Sequence, residues 1–193
     1  IIITIMAMEV ILSLILGISL SAACGFRIFV PLLIMSIASL AGHLSLNPGF
    51  QWIGTYPALI AFALATALEI AAYYIPWLDN LLDSIAIPAS IVAGIIVSAS
   101  CFSGMSPFLK WVLVVVAGGG SAALVQGLTV VARGISSLTT RGGTNAYLSS
   151  AEALGSAALS IMAIVVPLIV AAIIIFLIYF SIKMLLFKPR VSN

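Results

Sequence analysis

Glu69 stands inside an apolar run, seven residues before Pro76. On a helix broken at that proline the carboxylate lies about 10 Å from the helix end. A carboxylate at such depth is costly when it faces lipid unpaired. Glu69 is therefore expected to face the interior of a helical bundle, protonated or paired. Tyr73, one turn further on the same face, could donate a hydrogen bond to it. Two roles fit: a proton or cation site, or an interhelical lock with Arg27 or Arg133.

Arg27 follows Gly25 and precedes Pro31, with apolar residues on both sides. At the start of a half-helix, its guanidinium and the positive helix end together favour an anion or a carboxylate. The alternative is snorkelling toward lipid phosphates. Asp79 and Asp83 follow Pro76 at i, i+4 spacing and share a helix face, where they repel slightly. They suit a cation, a pairing with Arg133 or Arg141, or a solvated interfacial turn. Glu152 closes the run Ser149-Ser150-Ala151-Glu152, the pattern of a capping box, with membership of a polar membrane site as its second reading. Arg133 and Arg141 flank Ser136, Ser137, Thr139 and Thr140. That stretch suits an aqueous cavity, a lipid-headgroup pocket or a solvated loop.

Enzymatic motifs do not stand out: there is no phosphate-binding loop, no HExxH and no GxSxG. The one histidine, His43, removes most imidazole-based acid–base and metal schemes. Cys24 and Cys101 sit apart in apolar stretches and read as small buried hydrophobes. No catalytic residue, metal or cofactor is expected.

The elements that must carry these groups follow from composition. Of 193 residues, 64% are hydrophobic and 6% charged, and mean hydropathy is +1.36. Soluble domains run near 45–50% apolar and about 25% charged, so the charged side chains are too few to cover a soluble surface. A net charge of +2 offers no basic patch for nucleic acid. The expected fold is all-α: a polytopic transmembrane bundle of five or six spans, about 20 residues each, forming a single domain over residues 1–193. One or two re-entrant half-helices fit within it.

Spans are expected over residues 4–23, 57–75, 85–102 and 108–131. Residues 26–41 are short for a full crossing and either span or re-enter. Residues 151–186 are too long for one straight pass: either Pro167 kinks them or residues 151–162 form a separate short helix. Residues 77–83 read as a short amphipathic interfacial helix, and Pro88 falls in the first turn of the span that follows. Gly118–Gly120 weakens the 108–131 helix at its middle, and the polar stretch 133–150 reads as a connection. The apolar N-terminal run lacks a basic leader and reads as a span, not a signal peptide.

Ser13, Gly17, Ser21 and Gly25 form a small-residue face at i+4 spacing. It predicts a close helix–helix contact, within the chain or between copies. Gly25/Arg27 is faintly answered by Arg133/Gly134, an echo that divides the chain into residues 1–83 and 84–187. Inverted repeats with broken helices build many small transporters. The basic tail of Lys183, Lys188 and Arg190 votes for a cytoplasmic C-terminus; the same count puts Arg133 and Arg141 outside, which speaks against it.

The polar residues together resemble a bacterial membrane family known as domain of unknown function 4126. The resemblance rests on Gly25, Arg27 and Pro31; on Glu69 ahead of Pro76, Asp79 and Asp83; on Arg133; and on Ser149 with Glu152. It covers roughly residues 15–170 and implies an integral membrane protein with no established activity. The leading expectation is a small secondary transporter or permease of the bacterial cytoplasmic (inner) membrane. Its polar midplane would use Glu69 with Arg27, and further Asp79, Asp83, Arg133 and Glu152. The alternative is a non-catalytic subunit packed against larger membrane proteins. Membrane lipids, and copies of the chain or a larger membrane complex, are the expected partners.

Overall fold

The computed structural model describes residues 2–72, 74–140, 144 and 147–166, apart from the side chains of a few helical residues, Asp79 and Asp83 among them. All regular structure among them is helical. The molecule is a helical membrane protein in which four helices, Thr4–Cys24, Ser84–Cys101, Pro107–Thr139 and Tyr147–Val166, are long and apolar enough to cross a bilayer. Two more, Phe29–Leu40 and Tyr56–Ala72, are apolar and shorter.

Helix α1 is Ile2–Cys24. Its last turn closes when the N–H groups of Phe26 and Arg27 donate to the Ala23 carbonyl, at 3.1 and 3.2 Å. The chain then reverses within a few residues into α2, Phe29–Leu40. Its twelve residues span about 18 Å, well short of the ~30 Å hydrocarbon layer. A Schellman motif ends it: Gly42 takes a left-handed φ of 76°, His43 N–H reaches back to the Ala38 carbonyl, and Gly42 N–H to that of Ser39. The loop beyond is tied down by Asn47. Its side-chain amide donates to the Ala99 and Phe102 carbonyls at 3.0 and 2.7 Å, and its backbone N–H donates to Ser100.

Helix α3, Tyr56–Ala72, returns along α2 with Pro57 in its first turn. Helix α4 is Pro76–Cys101 and begins on Pro76. Here the structure corrects the sequence reading, because residues 77–83 and 85–102 are one helix that runs through Pro88. Proline removes one backbone donor and leaves the remaining turns intact, and in apolar surroundings the unbroken ladder wins because loose backbone groups have no water to bond.

Helix α5, Pro107–Leu113, is capped by the Ser106 hydroxyl. It leads through a π-helical turn, Val114–Gly119, into α6, Gly120–Thr140. The glycine run expected to weaken this helix coincides with that wider turn. A second correction concerns the polar stretch after Ala132. Residues through Thr140 are helix, not connection. No proline interrupts them, and the Thr139 hydroxyl folds back onto the Ile135 carbonyl at 2.9 Å instead of competing for a turn. Helix α7 is Tyr147–Val166, so it starts four residues ahead of Ala151. Pro167 and the rest of the apolar run to residue 186 lie outside the described residues, as do Tyr73 and Arg141.

With α5, the π-helical turn and α6 counted as one rod, successive helices alternate in direction. Along α1 and α4, Ser13 lies beside Ser103, Gly17 against Phe102, and the Ser21 hydroxyl donates to the Gly94 carbonyl at 2.8 Å. Helix α4 meets α6 just as closely. A β-carbon at Gly94 would come within 2.7 Å of the Ala122 side chain and 2.9 Å of the Gly118 carbonyl. One at Gly25 would meet Val125 at 2.6 Å. The small-residue face of α1 thus lies within the bundle, against α4 and α6. Outward faces carry Ile60, Leu64 and Leu68 of α3 and Leu124, Leu128 and Val131 of α6, all exposed.

Candidate functional site

Because directions alternate, the C-terminal ends of α1, α3 and α6 share one end of the bundle with the N-terminal ends of α2, α4 and α7. Arg27, Glu69, Arg133 and Glu152 gather there. Arg133 holds Glu152 in a two-pronged pair: its Nε donates to Oε1 at 3.0 Å and its Nη2 to Oε2. Arg27 approaches the same carboxylate, with Nη2 3.4 Å from Oε2. It also donates to both oxygens of Ser149, the carbonyl at 2.8 Å and the hydroxyl. Arg27 is 1% exposed, Arg133 3% and Glu152 6%, so these are desolvated charges. Removing one partner of such a set upsets the charge balance of the others.

Glu69 uses a different set of donors. Its Oε1 accepts the Ile28 N–H at 2.8 Å and its Oε2 the Phe29 N–H at 3.1 Å. It therefore caps α2, satisfying two of the free donors at that helix start and opposing the positive end of its dipole. Counted together, Arg27, Arg133, Glu69 and Glu152 supply two cationic and two carboxyl groups. The cluster lies nearer one end of the helices than their middle. Glu69 is three residues from the end of α3, not seven from a helix end at Pro76. Glu152 is five residues into α7, and Arg133 seven before the end of α6.

Several sequence assignments change at this point. Ser149 and Glu152 sit inside α7 and are drawn to arginines, so the S-x-x-E pattern does not form a capping box. Glu69 bonds α2 backbone and is not locked to Arg133. Tyr74, at an unassigned position, shares a hydrogen bond of 2.8 Å with Ser150. Asp79 and Asp83 lie in the first two turns of α4, at the same end of the bundle; their side chains lie outside the description.

The sequence reading also missed a polar seam. Gln126, Thr129 and Arg133 are buried on one face of α6, and Ser149, Glu152, Ser156 and Ser160 on one face of α7. The Ser156 hydroxyl crosses to the Ala23 carbonyl of α1 at 2.9 Å. Helical spacing was the signal. These positions recur at three- and four-residue intervals, while Leu128, Val131, Ile135 and Leu154 on the opposite faces are exposed. Both helices are inside-out relative to a soluble helix. Among the described residues, no three His, Cys, Asp or Glu side chains gather as a metal site.

The family model described as Domain of unknown function (DUF4126) matches residues 14–186. The chain belongs to this family. The matched stretch takes in Arg27, Glu69, Arg133 and Glu152, and every helix from the middle of α1 onward. Neither a curated protein nor a solved structure matches the chain.

Proposed function

We propose that the protein is a small secondary transporter or permease whose polar centre lies at the break between α1 and α2. The observation that carries this reading is the burial of Arg27, Arg133 and Glu152 inside a chain that turns its apolar residues outward. Ionisable groups inside a membrane bundle are expensive and mark pathways or coupling sites. A half-helix that starts within the bundle, with its donors aimed at a carboxylate, is the broken-helix arrangement that transporters use around their substrates. Glu69 is the switching group of this proposal. Ionised, it belongs on the Ile28 and Phe29 amides; protonated, it loses most of that attraction and can leave. The full proposal has five or six spans in a bacterial inner membrane, with a cytoplasmic C-terminus.

Proteoliposomes enclosing a pH-sensitive dye test it. Gradients of small organic acids, amines and inorganic ions are applied one at a time. The expected result is a change in luminal pH with at least one solute, lost in Glu69→Gln while that variant purifies like the wild type. Equal responses in the two proteins, or none with any solute, would retire the reading. A second reading, a non-catalytic subunit of a larger complex, is favoured by the two-pronged Arg133–Glu152 pair, which acts as an internal fastener. Purification in mild detergent with a second polypeptide at fixed ratio is its expected signature.

A further inference from the structure

We infer that α2, the 3-10 turn Gln51–Gly54 and α3 form a hinged panel, jointed at the charged end and clasped to α4 by Asn47 at the other, and that releasing Asn47 admits water behind it. The panel is a unit. Its three elements pack on one another more extensively than on α1, α4, α5 or α6. Near the tip, a β-carbon at Gly54 would press on the Ser39 side chain of α2. At the far end Glu69 of α3 takes the Ile28 and Phe29 amides of α2, at 2.8 and 3.1 Å. Both joints lie at that far end. The chain enters through the turn at residues 25–27 and leaves through Ile75, which is extended (φ −107°, ψ 109°) just before Pro76. Short non-helical joints at element ends are where hinges form.

The tip is held differently. Among the described residues, every hydrogen bond between residues 41–55 and the end of α4 runs through Asn47. Its side-chain amide donates to the Ala99 and Phe102 carbonyls and its backbone N–H to that of Ser100. Ala99 and Ser100 are among the last four residues of α4, whose carbonyls lack helical partners. Asn47 is only partly buried, so water can take over these bonds. Within the panel, Ser36 of α2 and Thr66 of α3 are buried, and neither hydroxyl has a hydrogen-bond partner among the described residues. A contact that stays dry leaves such groups unsatisfied at a cost, and water entering on opening satisfies them. The role of the clasp rests on the transport reading, where it gives access from the end of the bundle opposite the charged cluster. Its test reads access in detergent and no flux, so either can fail alone.

The two native cysteines, both buried, report the two ends of the panel. Cys101 lies in the last turn of α4, among the carbonyls that Asn47 holds, and Cys24 in the last turn of α1, beside a joint. In the full chain in mild detergent each is followed alone, in Cys24→Ala and in Cys101→Ala, by its rate of reaction with a charged methanethiosulfonate. Adding Asn47→Ala is expected to speed Cys101 by about tenfold to a hundredfold and to leave Cys24 at its former rate. Asn47→Ser keeps one hydroxyl donor for the two carbonyls. It should give a smaller rise, about threefold to tenfold, and serves where Asn47→Ala does not purify. Leu44→Cys, with both native cysteines changed to alanine, reports the tip itself, which is buried in the same cluster as Cys101, and should speed up as Cys101 does. Equal acceleration of Cys24 and Cys101 would mean general loosening, and acceleration of Cys101 without Leu44→Cys would mean fraying of α4 alone. Either would overturn the panel, as would an unchanged rate at Cys101 or failure of both Asn47 variants to fold.

Discussion

The glycine-lined contact of α4 with α6 and the charged end of the bundle hold the same helices by different means. At the contact, Gly94 and Gly118 leave no room for a β-carbon, and backbones meet with one serine hydroxyl bridging α1 to Gly94. At the charged end, one arginine from the α1–α2 break and one from α6 converge on a single carboxylate of α7. Lipid gives apolar side chains little reason to prefer each other over acyl tails, so greasiness alone selects no partner. The glycine contact fixes how near the helices come and is sensitive to volume. The charged end fixes which helix ends coincide and is sensitive to charge balance.

The largest effect should come from Glu152→Leu, which leaves Arg27 and Arg133 buried with their shared anion gone. We expect a loss of about 3–5 kcal/mol, read as failure to purify as a single species or as a steep fall in Tm in detergent. An unchanged Tm would break the contrast outright, since the charged end would then matter no more than a patch of surface. Next is Gly94→Val, which pushes a branched side chain into Ala122 and the Gly118 backbone. Overpacking of this kind costs about 1–3 kcal/mol, and no change in charge is involved. A smaller loss, about 0.6 kcal/mol, is expected for Ser21→Ala, the typical weight of one interhelical hydrogen bond in a membrane protein. Equilibrium unfolding in mixed micelles measures it against Gly94→Val. The smallest change has the opposite sign. A β-carbon at Gly134 meets nothing within 4 Å, so Gly134→Ala should stabilise α6 by about 0.5–1 kcal/mol. Destabilisation there would mean that closeness is not what distinguishes Gly94 from other helical glycines.

Charge in an apolar chain was the most legible feature of the sequence. Arg27, Glu69, Arg133 and Glu152 stand out there because almost nothing around them is polar, and the structure gathers them at one end of the bundle. Which group meets which was not legible. Ser149 and Glu152 match a capping pattern locally, and Arg27, the residue that claims Ser149, lies 122 positions away. Pro88 and the polar run to Thr140 mislead for a related reason. Proline and hydroxyl residues signal turns when water can take up loose backbone groups, and that signal fades where the helical ladder is the one satisfactory partner. The seam of Gln126, Thr129, Ser156 and Ser160 was readable by its spacing, but only if polar residues are assigned to the inner face.

The π-helical turn at Val114–Gly119 acts as a phase shifter. Such a turn holds one residue more than the α turn it replaces, and one residue is about 100° of rotation around a helix. The azimuth at which α6 presents itself to α7 is thus set some twenty angstroms down the rod from Arg133, about fourteen residues at the usual rise, and in a stretch of valine and glycine that touches no ion. Winding all six of those residues as plain α-helix would swing the Arg133 guanidinium about a quarter turn off Glu152, whereas excising one of them would let the rod wind uniformly and keep the two in register.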